Sequence, residues 1–371
     1  MDSMDNNNVV RAKLVSAVFA IIIGGLFALS LVIPKPAILR SERRAPAKLP
    51  PLSAQTVISG EFMSKLDSYS ADNFPFRDSF RTLSSALVFG AFLQTDKNGL
   101  YMDAYGAGEF KRIDPDAVGQ IAAKIQTVAE ALSGVNIYYA CIPDKSIYSE
   151  KNLPGFDPVF MEQLLTENLG MDKFTYIDLT DVLDAGSYYR TDLHWNQVKL
   201  GGVLDKLGAS MGFEADISRY SLEYAGEFQG VYSGQIALPV GTDELDYLSD
   251  LSLTAAYLNE SVMELEPGSV YNAEKFSGLD AYDFFLSGAQ PLIILENENS
   301  ISDKELYLFR DSFSSSLAPL LAGSYARVIL IDLRYIDMRD LARFIGFKPG
   351  SDALFLYSTL VLSNPDMLLV R

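Results

Sequence analysis

Residues 14–33 read LVSAVFAIIIGGLFALSLVI, a run without a single charge. At a rise of 1.5 Å per residue, such a helix covers roughly 30 Å, the depth of a bilayer's hydrocarbon core. In lipid an unpaired backbone group has no water to bond, so this segment can cross only as a helix. A secretory h-region is shorter, roughly 7–15 residues, and ends at a small-residue cleavage site. Here Pro34 and Pro36 follow instead. The run reads as an uncleaved signal anchor in preference to a cleaved signal peptide, with 1–13 as a short cytoplasmic tail. Charge alone gives a divided answer on orientation. Arg11 and Lys13 favour an inside N-terminus, whereas Lys35, Arg40, Arg43, Arg44 and Lys48 pull a positive-inside count the other way. The shortness of the tail favours an outside main domain. Residues 34–56, rich in Pro, Ala and basic side chains, read as a tether, and 57–371 as one main domain.

The net charge of -18 repels phosphate backbones, so nucleic acid is not an expected partner. One cysteine, Cys141, forms no intrachain disulfide. One histidine and one cysteine cannot assemble a zinc site of the usual Cys/His kinds, and the EF-hand spacing is absent. No metal and no cofactor is expected.

Apolar spacing predicts helices over 60–71, 81–92, 114–132, 160–169, 197–211, 314–322 and 339–345. Short β-branched and aromatic runs between them predict strands over 135–142, 174–179, 291–296, 306–309, 327–333 and 354–360. That alternation calls for an α/β fold with a mostly parallel sheet covered on both faces. Residues 220–271 break the rhythm. They are aromatic, acidic and turn-rich, and read as an inserted antiparallel excursion near the substrate cleft.

Two segments carry the residues for chemistry. In YYRTDLHWNQVKLGG (188–202) the sole histidine, His194, sits two places after Asp192 and just before the sole tryptophan, Trp195. In LYLFRDSFSSSLAPLL (306–321) Ser312 lies between a strand and a helix. A serine there projects its hydroxyl at the carboxyl edge of a parallel sheet, where open α/β folds bind ligands. Unpaired N–H groups of Ser312 and Phe313 at the helix start suit an oxyanion. Such a serine needs a base and the base an orienter; His194 is the only imidazole and Asp192 the nearest carboxylate. Plainer readings stand beside these. Ser312 or Asp311 is a good helix cap, Asp192 is another for a helix near Asn196, and a histidine beside a tryptophan is commonly a packing residue.

At these residues the chain resembles the DHHW protein family and, more distantly, the SGNH-like domain of alginate O-acetylation proteins. The motif stands here as Asp192-Leu193-His194-Trp195. The blocks NFPFRDSFR (73–81), NGLYMD (98–103), IPDKSIY (142–148), YDFFLSG (282–288), RDSFSSSLAPLL (310–321) and IDLRY (331–335) follow in the family's order. The resemblance implies a three-layer SGNH-like α/β/α fold and a Ser312–His194–Asp192 triad. It further implies a single-pass cell-membrane protein with its main domain extracytoplasmic. The implied chemistry is O-acetyl transfer to, or removal from, a cell-envelope polysaccharide, with a membrane partner as acetyl donor. Trp195, Tyr189, Tyr188 and Tyr232 become candidates for stacking on sugar rings, against ordinary core packing. One departure stands out. Where the family block runs into Gly-Asn, this chain has Gly288-Ala289-Gln290. Losing one side-chain oxyanion donor costs about 2.7–4 kcal/mol, or about 10²–10³ in rate. Gln290 is the candidate to replace it. The alternative is an inactive glycan-binding or scaffold subunit of an envelope polysaccharide complex.

Overall fold

The computed structural model describes residues 2–151, 157–170, 172–250, 252–300 and 302–370. It divides into two compact units, one ending at Phe92 and one beginning at Leu93.

The first unit opens with the helix Asp2–Val32, of which Val10–Ser30 is long and apolar enough to cross a membrane. Its mean hydropathy is 2.3 and none of it is buried in the protein. Three shorter helices follow, Ala54–Ile58, Glu61–Asp72 and Arg77–Ala86. The last runs on through a π-helical turn, Leu87–Ala91. Ser53 starts the first of the three by accepting the Thr56 N–H while Thr56 accepts the Ser53 N–H. Arg44 lays both terminal nitrogens on the two oxygens of Asp72, each at 2.6 Å, and Arg77 pairs with Glu42. That network holds residues 40–44 against the helices.

The second unit is built on an eight-stranded, mostly parallel sheet. In chain order its strands are β1 (Asn136–Ile142), β2 (Phe174–Tyr176), β3 (Leu253–Asn259), β4 (Glu264–Gly268), β5 (Leu292–Asn297), β6 (Glu305–Arg310), β7 (Arg327–Ile331) and β8 (Asp352–Ser358). Across the sheet they lie in the order β2-β1-β8-β6-β7-β5-β3-β4. The run from β2 to β7 is parallel, and β5, β3 and β4 extend it antiparallel. The hairpin 253–268 is therefore the edge of this sheet, whereas Ser221–Phe228 and Asp243–Ser249 form a separate two-stranded ribbon.

The period-2 geometry of the strands feeds two apolar clusters. On β6, Tyr307 and Phe309 enter one cluster and Leu306 and Leu308 the other. On β7, Ile329 and Ile331 part from Val328 and Leu330 in the same way. The first cluster takes in the helices α1 (Pro115–Ala129) and α2 (Pro158–Leu169). The second takes in α3 (Gly201–Met211) and α4 (Ser314–Leu321). Strands buried on both sides must be apolar throughout, which is why RVILI and LFLY carry no alternation to read.

Several helices start or stop differently from the apolar spacing; the one expected over 81–92 begins at Arg77 and leaves α geometry after Ala86. The segment expected as one helix over 197–211 opens as a 3₁₀ turn, Gln197–Lys199, and α3 begins only at Gly201. Asn196 caps the turn by accepting the Val198 N–H, and Leu200, at ψ 10°, interrupts the α geometry. The helix expected over 339–345 is the short Met338–Leu341, capped by Asp337.

Candidate active site

The carboxyl ends of β1, β6 and β8 deliver three segments to one place: Asp144-Lys145 after β1, Asp311-Ser312-Phe313 after β6, and Ser358-Thr359 at the end of β8. A hollow of about 180 Å³ opens there, lined by Asp144, Lys145, Leu193, Phe313, Ser358 and Thr359 among others. The ends of parallel strands are where open α/β sheets leave a crevice.

Into it comes the segment 188–195, far away in sequence and tied down at several points. Tyr189 N–H donates to His194 C=O at 3.1 Å, closing a tight loop. Asp243, from the ribbon, accepts the Arg190 and Thr191 N–H groups at 2.6 and 2.7 Å and the Thr191 hydroxyl at 2.6 Å. Gly230 packs so close that an added Cβ would lie 2.3 Å from Thr191 O and 2.4 Å from Asp192 Cβ. Only glycine fits that approach.

The loop presents Asp192 and His194 to Ser312. His194 Nε2 lies 2.8 Å from Ser312 Oγ, and Nδ1 lies 2.7 Å from Asp192 Oδ1. An ionised carboxylate only accepts, so Nδ1 carries the hydrogen and Nε2 is left to accept from the serine hydroxyl. Asp192 also accepts the His194 N–H at 3.2 Å on Oδ1 and the Val231 N–H at 2.9 Å on Oδ2. Asp192 and His194 are buried, while Ser312 is half-buried.

Tyr282, marked in the sequence only by its place in YDFFLSG, stacks on the imidazole with centroids 3.7 Å apart and planes 2° from parallel. Its hydroxyl donates to Ser316 Oγ at 2.8 Å, which fixes the ring. Burial holds that phenol well above the usual range, so it stays protonated. Lys145 was equally unmarked beyond its place in IPDKSIY. It is buried, and its ammonium donates to Tyr189 C=O at 2.8 Å and Asp192 C=O at 3.2 Å. Burial pulls its pKa down to about 8, against the opposing pull of Asp192, Asp243, Asp144 and Asp103. Arg310, also buried, donates to Asp311 C=O and Ser315 Oγ at 3.3 and 3.2 Å and to Gln290 C=O at 3.3 Å. It thereby joins the turn bearing Ser312 to the loop bearing Ala289.

The other expected residues lie elsewhere. Trp195 is completely buried: its Nε1–H donates to Phe313 C=O at 2.9 Å and its ring packs edge-on against Phe313. Tyr189 is 2% exposed and meets Phe228 and Tyr282 edge-on. Tyr188 is likewise inside, donating to Pro143 C=O at 2.8 Å. None of the three offers a free face to a sugar, because each ring is buried: Trp195 and Tyr188 find acceptors within the fold, and the Tyr189 hydroxyl is enclosed without a partner among the described residues. Tyr232 is also mostly buried but lines the hollow. Gln290 is half-buried and borders a different hollow, with Tyr257, Asn259 and Pro267, while Ala289 is exposed. Of the two backbone donors expected for an oxyanion, Phe313 N–H is already given to Asp311 Oδ1 at 3.1 Å. Ser312 N–H makes no hydrogen bond among the described residues.

No family model matches the chain, and no curated protein does. Solved structures do. A DHHW family protein from Eubacterium siraeum aligns over 73% of this chain and 94% of its own, at 18% identity and TM-score 0.60. The two share a fold. PatB1 of Bacillus cereus, solved with a sulfonyl adduct, aligns over 73% of this chain and 98% of its own, at 18% identity and TM-score 0.56. Structural neighbours also include the O-acetyltransferase domain of Pseudomonas putida AlgJ and AlgX of Pseudomonas aeruginosa. They align over 72% of this chain and 93% and 58% of theirs, at 12% and 10% identity and TM-scores 0.41 and 0.30, too low to carry an argument.

Proposed function

We propose that this chain is a membrane-anchored, extracytoplasmic acyl-transfer protein with a three-layer SGNH-like domain. In this reading it moves O-acetyl groups onto or off a cell-envelope polysaccharide. Residues 14–33 are the anchor, 34–56 the tether, and an acetyl-donating membrane protein is the expected companion.

The observation that carries the reading is the unbroken line from Asp192 through His194 to Ser312, with contacts of 2.7 and 2.8 Å. As Ser312 Oγ attacks an acetyl carbonyl, its proton passes to His194 Nε2. The carbonyl oxygen gains the negative charge and is held by Ser312 N–H. Collapse expels the donor's alcohol oxygen, which takes the proton from Nε2 and leaves acetyl-Ser312. A sugar hydroxyl, or water, then gives its proton to Nε2 and attacks, and Ser312 departs reprotonated. Asp192 keeps the imidazole in the right tautomer and stabilises its charged form. Tyr282 keeps the ring in plane.

Incubation with a sulfonyl fluoride and with an activated acetyl ester tests this. The wild type is expected to gain one sulfonyl adduct on Ser312 and to turn the ester over, and Ser312→Ala to do neither. Equal turnover by the two proteins removes Ser312 from the role of nucleophile.

The inactive glycan-binding reading draws on two specific observations: Ala289 has no side-chain donor, and Phe313 N–H is occupied by Asp311. Polysaccharide binding that Ser312→Ala leaves unchanged, in a wild type with no ester turnover, selects it.

A further inference from the structure

Within the first unit, the helix Arg77–Ala86 is inside out. A surface helix normally turns its apolar stripe inward and its charges to water. Here Phe76, Phe80, Leu83 and Leu87 succeed one another at three- or four-residue steps, so they share one face. That face is the open one: the four are 59%, 46%, 55% and 43% exposed. The charged side is the satisfied one. Arg77 pairs with Glu42, and Arg81 donates to Ser41 Oγ at 3.0 Å and Asp78 Oδ1 at 3.4 Å.

A second observation places this face relative to the apolar helix. Lys35 donates to Ser30 C=O at 2.6 Å and to Asn73 C=O at 3.4 Å. Ser30 ends the membrane-length stretch, and Asn73 immediately precedes Phe74-Pro75-Phe76. Residues following the apolar helix and residues 72–79 line a common hollow. The open apolar face therefore begins at the level where the apolar helix leaves the hydrocarbon. Lys35, Arg40 and Lys48 are exposed in the same unit, the charge that anionic headgroups attract.

From these two observations we infer that the Phe76–Leu87 face lies in the interfacial zone of a lipid bilayer, giving the first unit an in-plane membrane contact besides the span. An amphipathic helix at that depth buries its apolar side among acyl chains and keeps its polar side toward the protein and headgroups. The inference rests on the anchor assignment proposed above, and the test separates the two.

The full chain, with Cys141→Ala and one nitroxide-labelled cysteine at a time, is reconstituted into phosphatidylethanolamine–phosphatidylglycerol vesicles. Phe80→Cys and Leu83→Cys report the apolar face, Thr82→Cys the opposite side, and Ile22→Cys the anchor. Accessibility to oxygen, which concentrates in lipid, is compared with accessibility to a water-soluble nickel chelate. The expected result is an oxygen-to-nickel ratio severalfold higher at 80 and 83 than at 82, and higher again at 22. A lipid-like ratio at 22 with water-like ratios at 80 and 83 overturns the inference and leaves the anchor standing. Low accessibility to both reagents at 80 and 83 assigns the face to a protein surface, a second copy or a partner, and also overturns it. A water-like ratio at 22 overturns the anchor and this inference together.

Discussion

Asp192→Asn is the most informative single change at the candidate site. N–H groups converge on both oxygens of the carboxylate, among them His194 Nδ1–H and His194 N–H on Oδ1 and Val231 N–H on Oδ2. Asparagine offers one oxygen and one NH₂. With its oxygen toward His194, the amide turns two hydrogens on Val231 N–H, and a half-buried donor loses its acceptor, at the low end of about 1–3 kcal/mol. Flipped, the amide donates to Nδ1 and forces the ring hydrogen onto Nε2, so Ser312 has no base. Either way the charge that stabilises the imidazolium is gone. The same substitution in the serine-protease triad lowers kcat by about 10⁴, or about 5 kcal/mol of barrier. The expected outcome is a loss near 10⁴ in acetyl-ester turnover and in the rate of sulfonylation of Ser312, with only about 1–3 kcal/mol lost in denaturant unfolding. A variant that keeps turnover within about tenfold of wild type while folding normally refutes the assignment, because about 1.4 kcal/mol is too little for an orienting charge.

Two further outcomes follow from the groups around the imidazole. Tyr282→Leu removes the stacked ring, and since aromatic pairs contribute about 0.5–1.5 kcal/mol, kcat is expected to fall by up to about tenfold with KM little changed. Tyr282→Phe keeps the stack, and Ser316 Oγ still receives the Trp195 N–H, so it should retain the rate; equal losses in both variants rule out positioning by stacking. Lys145, held near 8 when folded against 10.5 when free, releases its proton earlier in the folded state. Between those values the unfolded chain holds a proton that the folded one lacks, so stability rises with pH, by about 2 kcal/mol from about pH 7.5 to about 9.5. Lys145→Met isolates that contribution: in denaturant titrations the stability difference between wild type and variant should shift by about 2 kcal/mol in favour of wild type across the window, and equal pH slopes in the two proteins contradict the burial argument. The comparison is needed because Cys141 and buried tyrosines such as Tyr188 and Tyr232, raised by burial, shift stability the opposite way in both proteins as pH rises.

The parts of this structure legible in the sequence are those fixed by local pattern. RVILID and PLIILE could only be buried strands, and Asp114-Pro115 could only open a helix; both are found so. The placement of Ser312 between β6 and α4 belongs to the same class, since a strand-to-helix turn is a local event. What the sequence withheld is direction. It put Trp195 and Tyr189 beside the histidine, and aromatic residues there suggested a sugar platform. Whether a ring faces a cleft or the core depends on partners remote in the chain. Trp195 found Phe313 and Ser316, 118 and 121 positions away, and Tyr189 found Phe228 and Tyr282. The same remoteness hid Tyr282 and Lys145, whose contacts with His194 and with the carbonyls of 189 and 192 exist only once the loop 188–195 is folded under Asp243. The inside-out helix is the opposite case. Its apolar residues and its charges were both plain in FPFRDSFRTLSSAL, although the apolar spacing predicts a helix only from 81 and the helix starts at Arg77. Periodicity says that a helix has two faces; it does not say which face the protein will claim. That choice was made by Glu42 and Asp72, which took the arginine side and left four large apolar side chains for something other than the protein's own core.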